Sequence, residues 1–130
     1  MVLNKDLRKV IVDMVQSAGE GHIPSSFSIV DLIEHLYGEV LSFKLNDPDW
    51  KDRDYFILSK GHGCSGLYAV LYKYGLINDK QLNAYSRAGG SLGGHPEIGV
   101  PHIEASTGSL GHGFPMAVGM ALGMRIRKKK

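Results

Sequence analysis

Four histidines of this sequence stand in short polar segments that are rich in glycine. The segments are "GEGHIPSS" with His22, "LSKGHGCSGLY" with His62, "GGHPE" with His95 and "EASTGSLGHG" with His112. An imidazole can donate or accept a hydrogen bond, and a neighbouring glycine lets main-chain amides come close to a ligand. A single histidine in such a loop is usually structural or incidental. The clustering of 17 glycines around these segments nevertheless indicates loops shaped for the close approach of a ligand.

The segment "ASTGSLGHG" at 105–113 leads directly into an apolar run that begins at Phe114. Polar, glycine-rich chain before a helix is a setting in which main-chain amides can meet an anion. Its Gly-x-x-Gly-x-Gly spacing is neither the dinucleotide fingerprint nor the P-loop, which needs lysine followed by serine or threonine. The histidines lack the i, i+4 spacing of a helical zinc site, and no Gly-x-Ser-x-Gly elbow is present. None of these common motifs therefore identifies the chemistry.

Composition excludes several classes of protein. A chain of 130 residues with 43% hydrophobic and 22% charged residues is typical of one soluble globular domain. A net charge of +2 gives no broad basic face for nucleic acid, and the terminal "RIRKKK" is interpreted as a solvated helix end. The apolar run from Phe114 to Ile126 is shorter than the roughly 20 residues that span a bilayer. We therefore expect no nucleic-acid partner and no membrane partner.

The single cysteine, Cys64, rules out an internal disulfide and makes a cysteine-based zinc site implausible. The N-terminal segment "MVLNKDLRKV" carries charges where a secretory peptide needs its apolar core, so no export signal is recognised. These two features together favour a reducing, cytoplasmic compartment.

Hydrophobic periodicity predicts a chain made mainly of helices. A first amphipathic helix runs from Leu3 to Ala18 and ends at Gly19. A second begins at a capping-box-like pair, Ser28 and Asp31, and continues to about residue 40, with a weak point at residue 38.

The second half of the chain predicts three more helices. "LYAVLYKYG" has a helical pattern that Gly75 stops, and Asn78 is placed to cap a short helix after it. The last helix covers 113–127, with Pro115 in its first turn.

Strand signals are sparse. "YFILS" at 55–59 is continuously apolar, as a buried parallel strand is, and "IEAS" gives a second, weaker strand. The last helix is apolar nearly all round, which predicts burial on every side, with Gly119 and Gly123 allowing close packing against a sheet or a second subunit. Because two strands do not make such a sheet, the sequence predicts the opening part of an α/β domain whose other strands come later or from elsewhere.

In this order and at these separations, the segments resemble the N-terminal part of transketolase, the thiamine-diphosphate enzyme. The resemblance is especially to the split form, whose two halves are separate polypeptides. It extends from about Leu7 to Ile126 and is carried by "GHIPSSFSIVDLIEHLY", "DPDWKDRDYFILSKGHGCSGLYAVL", "GGHPE" and "EASTGSLGHGFPMAVGMALG". Deoxyxylulose-phosphate synthase, another ketol-transferring thiamine enzyme, is a weaker match to "DPDWKDRDYFILSKGH" and "EASTGSLG".

The resemblance implies an α/β thiamine-diphosphate-binding domain with a central parallel sheet flanked by helices, incomplete in this chain. It implies transfer of a two-carbon ketol unit from a ketose phosphate to an aldose, so sugar phosphates are the implied substrates. His22 and His95 match catalytic histidines that line the substrate channel. His62 matches a histidine at the diphosphate end of the cofactor. The turn that contacts the thiamine body through its backbone is matched by Gly108, Ser109 and Leu110.

The sequence departs from the family pattern at three places. "GSLGHG" stands where "GPLGQG" is usual, and "GHIP" replaces the commoner "GHPG". Serine for proline at 109 is compatible with a backbone contact, whereas the role of His112 is open. The largest departure is that the "GDG" segment and the later asparagine, which bind Mg²⁺ or Ca²⁺ in the family, do not occur in 1–130. The glutamate that activates the cofactor lies in the family's second domain.

Residues 1–130 are therefore interpreted as a partial thiamine-diphosphate-binding domain that ends before the metal-binding segment, with no metal ligand of its own. The first hypothesis is the front portion of a transketolase-type enzyme, inactive alone. It would be completed by a remaining segment or a C-terminal subunit, in a homodimer or heterotetramer. The alternative is a truncated, non-catalytic fragment or remnant that only associates with partner chains.

Overall fold

The computed structural model describes residues 6–127. Its α-helices are α1 (Leu7–Ala18), α2 (Ile23–Phe27), α3 (Val30–His35), α4 (Cys64–Lys73), α5 (Asp79–Asn83) and α6 (Gly113–Ile126). A π-helical turn, Leu36–Val40, continues α3, and a 3₁₀ turn, Gly61–Gly63, leads into α4.

Helix α4 is the centre of the fold, and α1, α2, α3 and α5 pack around it. Every residue of α4 from Cys64 to Leu71 is buried, so this helix has no solvent-facing side over its first two turns. Small side chains let α2 come close, since a Cβ at Gly66 would lie 3.2 Å from the carbonyl oxygen of Ser26. The hydroxyls of Ser26 and Ser65, 2.6 Å apart, satisfy each other inside this contact.

The predicted ends of α1 are confirmed where the structure describes them. The Asp6 carboxylate caps the first turn by accepting from the amides of Arg8 and Lys9. Gly19 ends the helix at φ 74°, the left-handed conformation that glycine adopts without steric cost. Leu3, which the periodicity also assigned to this helix, lies outside the described residues.

The predicted second helix is differently built. The Ser28 hydroxyl donates to the carbonyl of Ser25 and caps nothing, so the predicted capping box is wrong. Asp31 instead forms an exposed ion pair with Arg8 of α1. The weak point predicted at Gly38 corresponds to the π-helical turn, where a Cβ would lie 2.6 Å from the Tyr74 hydroxyl oxygen.

The predicted ends of α4 and α5 are confirmed. Gly75 follows α4 at φ 73°, in the left-handed region. Asn78 forms a reciprocal capping box with Gln81, in which each side chain accepts from the other residue's amide.

The predicted strands are not confirmed. Among residues 6–127 the β-pairing consists of one isolated parallel bridge between Ile98 and Val100. The segment 55–58 has a buried end at Leu58, but Tyr55 is 44% exposed. A strand needs neighbours that accept its main-chain hydrogen bonds, and the described residues supply none to 55–58 or to 103–106.

The prediction that α6 is buried on every side is wrong for this chain. Phe114 is 71% exposed and Ile126 is 82% exposed, and only Gly113 is buried. A Cβ at Gly119 or Gly123 would meet nothing within 4 Å. The prediction failed because burial of an apolar helix requires covering elements, and the described part of the chain has none against α6. Within that same part, no helix combines the length and hydropathy needed to cross a membrane.

A strained histidine lies in the loop that precedes residue 105. His102 has φ 61° and is 94% buried, given its 6% exposure, and its Nε2 has no hydrogen-bond partner within the described residues. Its ring packs edge-to-face on Phe43, with centroids 5.6 Å apart. Burial and the nearby Arg53 guanidinium lower the pKa of His102, and the Glu104 carboxylate opposes this shift.

His102 is expected to make the fold less stable in mild acid. The unfolded chain binds the proton at the ordinary histidine pKa of about 6.5, above the folded value, so stability is full above that pH and falls as pH drops through the folded value. Replacing His102 by glycine, which also suits φ 61°, should flatten this loss. Urea unfolding at about pH 7.5 and about pH 5.5 measures it. An unchanged difference between variant and wild type at the two pH values would contradict the assignment.

Candidate functional site

Three of the four predicted histidines form one cluster. The ring of His62 lies between those of His22 and His95, with centroid separations of 5.0 Å and 4.9 Å, and both pairs meet edge-to-face. His22 is exposed, whereas His62 and His95 are partly buried. Residues separated by up to 73 positions in the sequence are thus brought to one surface (95 − 22 = 73).

Two helix starts bring His22 and His62 together. His22 is the N-cap residue of α2, and His62 lies in the 3₁₀ turn that leads into α4. Lys60 ties the two segments, because its ammonium donates to the Ser25 carbonyl at 2.8 Å and to the Ser28 hydroxyl at 2.7 Å. The separation of the first two imidazoles is therefore set by a cation that bridges α2 and the turn.

The glycine-rich segment 105–113 closes a third side of the cluster. The buried Thr107 hydroxyl donates to the Leu58 carbonyl at 2.7 Å, and the Thr107 amide donates to the Pro96 carbonyl at 3.1 Å. A Cβ at Gly61 would lie 2.8 Å from the Thr107 carbonyl oxygen, and one at Gly108 would lie 3.3 Å from the His95 ring. Glycine at 61 is thus required for this backbone contact, and Gly108 borders the His95 ring directly.

The rest of the segment extends away from the imidazoles. Ser109, Leu110 and His112 are exposed, and His112 stands at the start of α6. Gly111 has φ 90°, so the chain reverses there in a conformation that favours glycine. No ring contact joins His112 to the other three histidines in the described structure, so the cluster has three members.

The centre of the cluster has an unused hydrogen-bonding atom. Nδ1 of His62 is buried and has no partner among residues 6–127. A buried polar atom left unpaired costs about 1–3 kcal/mol, which a ligand with a complementary atom would relieve. No group of three or more histidine, cysteine, aspartate or glutamate side chains in the described residues is arranged to hold a metal ion. The cluster is therefore suited to an organic or phosphate-bearing ligand.

Sequence reasoning missed Lys60 and Thr107. Both hold the site through bonds from a side chain to the main chain of a distant segment. Such bonds leave no periodic or motif signal in a single sequence. The only local cue was that each residue lies one position before a glycine of the two site loops.

Known proteins share this sequence over nearly its whole length. The family model described as transketolase, thiamine diphosphate binding domain, matches residues 2–130. Transketolase from Aquifex aeolicus is 39% identical over 124 residues, covering 94% of this chain and 18% of that protein. One of the polypeptides of a split enzyme, the apulose-4-phosphate transketolase of Phocaeicola vulgatus, is 37% identical over 121 residues, covering 93% of this chain and 43% of that polypeptide.

The structural likeness agrees with these matches. The structure of transketolase from Leishmania mexicana superposes with a TM-score of 0.79 at 38% identity, covering 88% of this chain and 18% of that one. This supports the α/β class, although the sheet itself is not formed among residues 6–127. The chain spans less than half the length of each of these relatives. With a family model matched along almost its whole length, the chain belongs to the transketolase family, in the part that is the thiamine diphosphate binding domain.

Proposed function

We propose that this chain is the N-terminal portion of a transketolase-type enzyme that transfers a two-carbon ketol unit from a ketose phosphate to an aldose. The cofactor is thiamine diphosphate. The observation that carries the proposal is the contact of His22, His62 and His95 around an unpaired imidazole nitrogen, beside the backbone of Gly108. This cluster lies in a chain that matches the cofactor-binding domain of the family.

The residues present fit thiamine diphosphate. Nδ1 of His62, when it carries the ring proton, can donate to a diphosphate oxygen and so lose its unpaired state. Gly61 leaves no side chain between this imidazole and the Thr107–Gly108 backbone. Gly108, Ser109 and Leu110 would contact the thiamine body through their main chain. Exposure of Ser109 and Leu110 leaves that turn accessible to a ligand.

His22 and His95 are proposed as the catalytic residues of this chain. Bound thiamine diphosphate supplies the carbanion and the electron sink of the reaction. The two imidazoles flank His62 on either side, where each can hydrogen-bond a hydroxyl of the donor ketose or the oxygen that gains charge as the carbon–carbon bond changes. The chain thus orients the sugar and stabilises charge, and the cofactor carries the bond cleavage.

The divalent cation is assigned to polypeptide other than this chain. A diphosphate carries several negative charges, and one histidine with a few amides compensates them poorly. The described residues hold no cluster able to bind Mg²⁺ or Ca²⁺. We therefore propose that the family's aspartate and asparagine ligands come from a remaining segment, and the activating glutamate from a second domain.

The same completing polypeptide would finish the fold. The apolar side chains of α6 are exposed and the segment 55–58 has no strand partner in the described part of the chain. We propose that further strands of a parallel sheet cover both, so that 1–130 is a partial domain. The completed protein would be a homodimer or heterotetramer acting on sugar phosphates. The single cysteine favours a cytoplasmic location.

The proposed function is tested by completing the protein. The chain is produced together with its remaining segment or C-terminal subunit, and is given thiamine diphosphate, Mg²⁺, a ketose phosphate and an aldose. We expect the aldose to appear extended by two carbons, only when cofactor and both parts are present. A completed protein that binds the cofactor and moves no two-carbon unit would contradict the proposal. Association without cofactor binding would favour the alternative, a non-catalytic remnant.

A further inference from the structure

Three consecutive carbonyls of the loop that carries His95 are held by two side chains of α4. The Tyr68 hydroxyl lies 3.1 Å from the Gly93 carbonyl oxygen and 3.0 Å from that of His95. The Cys64 thiol lies 3.0 Å from the carbonyl oxygen of Gly94. Because Tyr68 has a single hydroxyl proton, the two carbonyls share it, and the thiol serves the one between them.

The two donors stand on one face of α4. Cys64 and Tyr68 are four residues apart, the spacing that places side chains one above the other along a helix. Cys64 is 1% exposed and Tyr68 is fully buried. Burial raises the pKa of Cys64 to about 11 and raises the pKa of Tyr68 as well. Both groups therefore keep their protons in neutral solution and remain donors.

The same helix also carries the neighbour of His95. His62 lies in the turn that runs without a break into Cys64, the first residue of α4. The position of His62 is thus fixed by the start of α4, and the main chain of His95 is fixed by the next turn of α4. The 4.9 Å separation of the two rings follows from this shared support.

We propose that Tyr68, assisted by Cys64, is a positioning residue that holds the His95 imidazole against His62. Its consequence for ketol transfer rests on the function proposed above, because His95 is there the group that contacts the sugar. Tyr68 itself touches neither sugar nor cofactor in this assignment. It acts by satisfying the carbonyls that would otherwise be unpaired in a buried loop and free to turn.

Tyr85 offers a matched control, because it resembles Tyr68 in everything except this contact. It is 1% exposed, and its ring meets that of Tyr68 edge-to-face with centroids 6.0 Å apart. Within the described residues its hydroxyl donates to no carbonyl of the 93–95 loop. Removing either hydroxyl leaves a phenylalanine ring in the same packed core, so the two changes differ mainly in the loop contact.

The test compares Tyr68→Phe with Tyr85→Phe in the completed protein. The first readout is the nuclear Overhauser effect between ring protons of His62 and His95, which requires no cofactor. We expect it to weaken clearly in Tyr68→Phe and to persist in Tyr85→Phe. The second readout is kinetic: Tyr68→Phe should lower kcat of two-carbon transfer about tenfold, with cofactor affinity changed less than about twofold. Tyr85→Phe should leave both quantities near wild type.

An unchanged Overhauser effect in Tyr68→Phe would overturn the proposal, and so would equal losses of kcat in the two variants. If Tyr68→Phe does not fold, Cys64→Ala decides the matter, with the same signs and a smaller effect, since it frees one carbonyl. If wild type moves no two-carbon unit, the proposed function fails, and the Overhauser comparison still decides whether Tyr68 positions His95.

Discussion

Replacing His62 by alanine is expected to weaken thiamine diphosphate binding about tenfold to a hundredfold in the completed protein, and more than His95→Ala does. A hydrogen bond to a charged group is worth about 1.5–3 kcal/mol, which corresponds to this range of affinity. Nδ1 of His62 is the buried atom without a partner at the centre of the cluster. His95 borders Gly108 and flanks His62, a place from which it meets the sugar rather than the diphosphate.

Calorimetric titration of thiamine diphosphate with Mg²⁺ into each variant measures this difference. His35→Ala is a suitable control, because His35 is an exposed histidine at the end of α3 and is assigned no part in the site. It should bind the cofactor like wild type. His95→Ala should instead lose transfer activity at saturating cofactor. Equal affinities for His62→Ala and His35→Ala, or a larger loss in His95→Ala, would contradict the assignment of His62.

Features decided within a few residues were predictable from the sequence. The ends at Gly19 and Gly75 depend on one residue that adopts the left-handed region without strain. The reciprocal cap of Asn78 and Gln81 depends on four consecutive residues. In each case the competing conformations are local, so residue type and spacing are sufficient to choose among them.

Ser28 shows where this local reasoning stops. Its position before an apolar run predicted a cap, but its hydroxyl had a competing acceptor in the Ser25 carbonyl. That acceptor exists because 23–27 forms a short helix, α2, where the sequence indicated only a loop. A helix of five residues has little intrinsic stability, and α2 is stabilised by packing on α4, which a reading of local pattern does not contain.

Sheet and burial were beyond the sequence for a related reason. The apolar patterns of 55–58 and α6 describe what these segments require, and a requirement is met only by other parts of a structure. In the described residues 55–58 is unpaired and α6 exposes Phe114 and Leu122. The predicted patterns therefore identify surfaces that need a partner, and the proposed completing polypeptide is the partner that the family relationship supplies.

The histidine cluster was predicted by resemblance and not by physical reasoning from the residues. No periodicity relates His22, His62 and His95, and each alone is an ordinary loop histidine. The structure brings them together through α2, the turn before α4 and the loop held by Tyr68. The supporting residues carry no motif because they act through main-chain atoms, which every residue has.

Alone, this chain is expected to bind thiamine diphosphate no more tightly than about millimolar, whereas the completed protein should reach micromolar affinity or better. The difference, at least about a thousandfold or about 4 kcal/mol, is what the missing cation and its ligands contribute. The diphosphate would meet His62 and a few main-chain amides in the isolated chain, with no metal-holding cluster among the described residues. Most of its charge would remain uncompensated there.

The dependence on Mg²⁺ separates this explanation from simple instability of the isolated chain. In the completed protein, removal of Mg²⁺ with a chelator should weaken cofactor binding by a large part of the same factor. In the isolated chain, adding or removing Mg²⁺ should change the affinity little, because no ligands hold the ion beside the cluster. Circular dichroism establishes that the helices are formed during the titration. Micromolar binding by the helical, isolated chain, or a strong response of that binding to Mg²⁺, would show that this chain holds the diphosphate by itself and that its metal ligands are not elsewhere.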